Sequence, residues 1–208
     1  MNIKSALKYV VTNNKVLSLL YEKVYMRYIL WKRCKITVRD YGRHNELNIS
    51  KYTYSNDFIV AFHGDNNIVT VGDRCTFKMT NRIYIQGNNN VVKIGDNVTF
   101  DQDVLIVAAE GTKVTIGSDC IFANHVHIRT SDQHCIFNES GERINPAEDV
   151  HIGNHVWLGR ESVIMKGVSV GDGAIVGMRS MVTKDVPERC IVVGTPAKVI
   201  KTNVNWHE

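Results

Sequence analysis

The sequence has no CxxC pair, and its five cysteines, Cys34, Cys75, Cys120, Cys135 and Cys190, are odd in number. That argues against a disulfide framework and for buried thiols in a reducing cytoplasm. Dense basic charge is also missing. The formal net charge is +4, which suits an anionic small ligand and falls short of the basic patches of nucleic-acid binders. No clean apolar run opens the chain: Lys4 and Lys8 interrupt it, so a secretory leader is not expected and the protein is placed in the cytoplasm. The sequons at Asn48 and Asn97 then carry no meaning. Residues 3–35 have apolar stretches broken by Glu22, Lys23 and Arg27, so they fall short of the roughly 20 apolar residues of a membrane span. One or two helices are expected there. Basic residues beside Tyr28, Leu30 and Trp31 suit contact with an anionic membrane surface. The plainer reading is that this helix packs on the rest of the chain or on a neighbouring subunit.

What the chain does have is a six-residue rule. From Val150 to Pro187, every sixth residue is a branched aliphatic: Ile152, Leu158, Ile164, Val170, Val176, Val182. Gly153, Gly159, Gly171 and Gly177 follow four of these six. The fourth place after each holds a small or β-branched residue: Val156, Ser162, Val168, Ala174, Ser180, Val186. Helices repeat near 3.6 and strands at 2, so neither produces this period. A chain that turns a corner every six residues does. Three sides close a triangular coil whose aliphatics share one prism, and crowding at the corners demands small residues. The sequence therefore predicts a mainly β fold, a parallel β-helix of hexapeptides.

Three upstream segments end alike, at Val71-Gly72-Asp73, Ile94-Gly95-Asp96 and Ile116-Gly117-Ser118. Phe77, Phe100 and Phe122 each follow the aliphatic by six positions. Spacings of 23 and 22 residues, against 18 for a strict coil, place extra residues in polar corner loops such as Gln86-Gly87-Asn88-Asn89 and Glu110-Gly111. Tyr41 to His63 is weakly periodic and is expected to form an irregular cap. Between Ile128 and Val150 the rule lapses, yet Ile152 returns in phase. This long excursion contains Asp132, His134, Glu142 and Arg143, and such departures from a scaffold are usually functional.

The hexapeptides, Ser131-Asp132-Gln133-His134, Gly141-Glu142-Arg143-Ile144-Asn145-Pro146, Val156-Trp157-Leu158-Gly159, Val182-Thr183-Lys184-Asp185-Val186-Pro187 and Gly194-Thr195-Pro196-Ala197-Lys198-Val199-Ile200 resemble the hexapeptide-repeat acetyltransferases. The similarity covers about residues 67–201 and is greatest to the sugar O-acetyltransferases of surface polysaccharide synthesis. Galactoside, maltose and serine acetyltransferases stand further off. The resemblance implies a left-handed helix, acetyl-CoA as donor, a homotrimer, and active sites between subunits. Handedness comes from the resemblance alone, since crossover rules favour the right hand. The expected organisation is an N-terminal helical segment over 1–40, a β-helix over 41–201 with an excursion loop at 129–149, and a tail at 202–208.

Acetyl transfer to a sugar hydroxyl needs a base, and histidine suits that role. His134 lies where the resembling enzymes carry their catalytic histidine; His127 is the next candidate. His125, His127, His151 and His155 are expected mostly on outward positions. Asp132, Glu142 or a backbone carbonyl could orient the imidazole. Trp157 is similar to a tryptophan that lines the family's active site. Asp103, Asp132 and Arg143 are expected around the acceptor, which is a saccharide or polysaccharide. Gly159 and Gly177 leave room for a pantetheine arm, and an N–H near Gly159 is the simplest oxyanion donor. Thr195, Pro196 and Ala197 resemble the family's loop under the adenine, with Lys198 and Lys201 as partners for the CoA phosphates. No metal and no nucleic acid are expected. Three other readings stand beside this one: N-acetylation of an amino sugar or nucleotide sugar, a zinc-dependent β-helix enzyme using His125, His127, His134, His151 and His155, and a non-catalytic β-helix. An acyl-Cys135 intermediate is the weakest rival mechanism.

Overall fold

The computed structural model describes residues 35–207. The helical segment and membrane contact expected of residues 3–35 lie outside the described residues, apart from Lys35. Strands of seven, six and eight members form the three faces of a parallel β-helix. Its inward ladders follow the hexapeptide rule. Ile83, Ile106, Ile128, Ile164 and Val182 align on the first face. Val71, Ile94, Ile116, Ile152 and Val170 align on the second. Phe77, Phe100, Phe122, Leu158, Val176 and Val192 align on the third. All sixteen are at most 3% exposed, so each coil buries its apolar side chains on those above and below, the main stabilising term.

The phenylalanine spacing has a direct outcome. Phe58 and Phe77 stack at 4.0 Å, Phe77 and Phe100 at 4.6 Å, and Phe100 meets Phe122 edge-on at 4.9 Å. These rings fill the longer early coils, and Leu158, Val176 and Val192 continue the third-face ladder through the shorter late ones.

The corners are crowded where the sequence places small residues. A Cβ on Gly159 would come within 2.7 Å of Met178 N and Val176 O. That glycine therefore provides room between coils. The left-handed conformation falls two residues later, at Glu161 (φ 60°), and again at Arg179 (φ 60°) after Gly177. The extra residues of the early coils also lie only partly in corner loops. They lengthen the first-face strands, Phe58–His63 and Asn81–Gln86, which have six residues each against two in Val163–Ile164. At the first-to-second corner a buried asparagine ladder joins successive coils: Asn67 Nδ2 donates to Asn45 Oδ1 at 3.0 Å, and Asn90 Nδ2 to Asn67 Oδ1 at 2.9 Å.

The irregular cap expected over Tyr41–His63 is instead regular coil. Glu46–Ile49 pairs with Ile68–Val71, Tyr54–Ser55 with Thr76–Phe77, and Ile36–Asp40 with Phe58–Phe62. Strand pairing thus begins at Ile36, before the expected boundary at 41. Backbone pairing needs no strict side-chain period, which is why the periodicity hid this coil. At the other end Ile191–Gly194 turns through a cis Thr195–Pro196 bond into Ala197–Lys201, an antiparallel hairpin. The tail then folds back: Val204 N donates to Arg189 O, and Trp206 stacks on His155 at 4.0 Å.

Candidate functional site

The excursion leaves the first face after Arg129 and rejoins the second at Val150. Its outer half is a short hairpin. Ile144 N donates to Ile136 O, Asn138 N donates to Glu142 O, and Gly141 (φ 79°) closes the tip. Ile136, Phe137 and Ile144 project from it, 52–59% exposed.

The base of the excursion is anchored by charge. Lys166 Nζ reaches Asp132 Oδ2 at 2.6 Å and Pro146 O at 3.0 Å. Arg143 donates to Glu110 Oε2 at 2.6 Å, and Ser131 Oγ donates to Glu110 Oε1 at 2.5 Å. Gln133 Nε2 donates to Gln86 Oε1 at 2.8 Å. Lys166 and then Asn145 hold the Asp132 carboxyl below its usual range, and Arg143 and Ser131 do the same for Glu110. Asp132 and Arg143, expected to meet an acceptor, are each engaged within the chain. Asn138 Nδ2 contacts Glu142 at 3.4 Å. The His134 imidazole is exposed and has no hydrogen-bond partner among the described residues.

A second set of expected residues gathers at the corner between the third and first faces. An apolar groove there is lined by Trp157, Gly159, Arg160, Gly177 and Met178. Thr195 sits beside it, its Oγ1 directed at Arg179 O (3.4 Å), and Gly194 N donates to Ser180 Oγ. Lys198 is opposite Val193 in the terminal hairpin, and Lys201 is opposite Ile191; both lysines are exposed, and Ala197 is half-buried. The Gly159 N–H donates to Val176 O at 2.8 Å, so that group is already used within the coil. Trp157 is 42% exposed and lies 6.1 Å from Trp206.

The first face separates this groove from His134. Arg82, Leu105 and His127 are in register, as are Val107 and Arg129. Alternation with buried Ile83, Ile106 and Ile128 turns Arg82, His127 and Arg129 outward. Burial, then Arg129, Arg82 and His125, depress the His127 pKa. Asp103 lies at the edge, 3.5 Å from Arg82 and 3.8 Å from His125. His151 hydrogen-bonds Thr115 at 2.7 Å. Among the described residues no three His, Cys, Asp or Glu side chains converge as a metal-binding group. Cys135 is exposed, while Cys75, Cys120 and Cys190 are buried; burial pushes the Cys120 thiol up to about 12.

Sequence reasoning missed Asn145, Lys166, Arg160 and Arg179. Asn145 and Lys166 bond to residues distant in sequence, which no local pattern reveals. Arg160 and Arg179 share the Glu161 carboxylate at 3.0 and 2.6 Å beside the groove.

Comparison with known proteins fits this geometry. Residues 149–184 match the model of the bacterial transferase hexapeptide (six repeats). The chain is 35% identical over 186 residues to a polysialic acid O-acetyltransferase of Neisseria meningitidis, covering 79% of this chain and 86% of that protein. The chain belongs to the hexapeptide-repeat acetyltransferases. Two solved members of this family superpose on it. One is the polysialic-acid-specific acetyltransferase NeuO, with a TM-score of 0.66, 36% identity, and coverage of 84% of this chain and 89% of that one. The other is the polysialic acid O-acetyltransferase OatWY, with a TM-score of 0.68, 29% identity, and coverage of 83% and 92%. A polysialic acid O-acetyltransferase of Escherichia coli O1:K1 is 45% identical over 101 residues, 48% of this chain and 33% of its own length.

Proposed function

We propose that this family member transfers the acetyl group of acetyl-CoA to a hydroxyl of a surface polysaccharide. His134 removes the hydroxyl proton as the oxygen attacks the thioester carbonyl. The carbonyl collapses from its tetrahedral state, the C–S bond breaks, and CoA leaves as the thiol after taking up a proton. Transfer is direct, without an acyl-Cys135.

One observation carries this reading. Lys166, Asn138 and Glu110 occupy Asp132, Glu142 and Arg143, which leaves a solvent-facing imidazole on an anchored loop. Neutral imidazole is the form that accepts a proton. The groove at Gly159 and Gly177 takes the pantetheine arm, and Lys198 and Lys201 meet the phosphates. Arg160 and Arg179 add positive charge on the same corner. Asp103 lies at the edge of the face where the acceptor would rest.

Within one chain the groove and His134 occupy different corners. A homotrimer brings the groove of one subunit to the His134 loop of the next, with the apolar residues Ile136, Phe137 and Ile144 buried between them. The acceptor lies across the first face. Outward Arg82, His127 and Arg129 favour an acidic polymer, and the two solved relatives act by name on polysialic acid. As a consumer of acetyl-CoA, the enzyme works in the cytoplasm. The test is release of free thiol from acetyl-CoA with sialic acid oligomers, neutral glycans and amino sugars as acceptors. Turnover with the oligomers, and an alkali-labile acetyl ester in the product, are expected. Acetylation of an amine alone would replace the reading with N-acetyl transfer.

A further inference from the structure

Asn145 is 7% exposed and, beyond Thr130 and Ser131 at the base, is the one buried polar residue of the excursion. Its amide has two N–H donors and one carbonyl oxygen, and all are used. Nδ2 donates to Asp132 Oδ2 at 2.9 Å and to His134 O at 2.8 Å. Oδ1 accepts from Ile136 N at 2.6 Å. A flipped amide would set oxygen against two acceptors and nitrogen against a donor, so the network fixes the orientation. The three contacts fall on residues 132, 134 and 136, every second position of a segment that bends at Gln133 (φ 67°), with His134 at the centre. Asn145 itself is held from behind, because its own carbonyl accepts from Arg143 at 3.2 Å. Lys166 holds Asp132 from the coil below.

We infer that Asn145 is a positioning residue for His134. It grips the histidine's own carbonyl, the Ile136 N–H and the Asp132 carboxylate and leaves the imidazole free, so the base meets the acceptor hydroxyl from one fixed Cα. The inference rests on the reading of His134 as the base. Asparagine is required because no other side chain of this length both donates twice and accepts once. Aspartate keeps the bond from Ile136 N and loses both donors, and it sets a carboxylate against that of Asp132.

The test is a double-mutant cycle on turnover. Misplacing a catalytic group by about 1 Å can cost about 100-fold. Asn145→Ala is therefore expected to lower kcat about 10- to 100-fold, with the KM for acetyl-CoA and the melting temperature close to wild type. In a His134→Ala background the same change should cost less than about twofold, because a residue that acts through the histidine has nothing left to position. Asn145→Asp, which preserves volume, is measured in the same way, should lose at least as much, and decides the matter if the alanine variant does not fold. A wild-type rate in Asn145→Ala beside an inert His134→Ala overturns the inference alone. So does a penalty that persists in full without His134. A fully active His134→Ala overturns the base reading, and this inference with it.

Discussion

Replacing Lys166 by methionine keeps the length of the side chain and removes its charge. Two contacts disappear: the 2.6 Å bond to Asp132 and the 3.0 Å bond to Pro146 O. Asp132 is left with Asn145 only. Hydrogen bonds to charged groups contribute about 1.5–3 kcal/mol, and fully exposed ion pairs about 0–1 kcal/mol. The Lys166 and Asp132 side chains are 16% and 30% exposed, so the pair falls between these ranges, at about 1–2 kcal/mol. That weakens docking of the excursion about 5- to 30-fold. The hydrophobic prism is untouched, so the melting temperature should move by only a few degrees. Hydrogen exchange reads the effect locally: the Ile136 amide, which donates to Asn145, should lose protection, while Ile128 and Ile152 keep theirs. Turnover should fall with it. The pH dependence has a definite sign. Lys166 and Asn145 depress the folded-state pKa of Asp132, so the pair stabilises the loop above the ordinary carboxyl value, near 3.9. It is lost as pH falls through the depressed value. The gap between wild type and Lys166→Met should be full at neutral pH and close in strong acid. Unchanged Ile136 protection and unchanged turnover would refute the argument.

Other outcomes follow from the same framework. Phe100→Ala removes an inner ring of the row and should destabilise by about 3–5 kcal/mol, seen as a lowered melting temperature with no new ligand dependence. Lys198→Glu should raise the KM for acetyl-CoA and leave the acceptor constant alone, since charge reversal opposes binding in ground and transition states alike; steady-state kinetics with each substrate varied separates the two. Light scattering should report a trimer, and a stable, active monomer would contradict a site shared between subunits.

Much of this was legible in the sequence because a prism imposes its period on every coil. Ile152, Leu158 and Ile164 each point inward on a different face, and their spacing alone shows the corners. The phenylalanines at 77, 100 and 122 showed an equivalent position in each early coil, but not that their rings would meet. The coil over Tyr41–His63 was hidden because hydrogen bonding between strands is blind to side-chain type. The glycines were found for the right reason, room, but the left-handed residues are Glu161 and Arg179, which no pattern marks. The excursion was visible as a gap in the period, and His134 by its motif. Its anchors were not: Lys166 is 34 positions from Asp132 and Glu110 is 33 from Arg143, and such pairs exist only once the coils are stacked.

The proposed chemistry turns on His134, and the most direct measurement is the pH profile of kcat for wild type and His134→Ala. Activity of the wild type should rise with pH on the acid side, because only neutral imidazole accepts a proton. The variant should keep the wild-type oligomeric state and acetyl-CoA affinity, lose about 10²–10⁴-fold in kcat, and show no such rise. His125→Ala and His151→Ala should stay close to wild type. A His134→Ala enzyme that retains more than about a third of the turnover, with the same acid limb, would contradict the account and turn attention to His127.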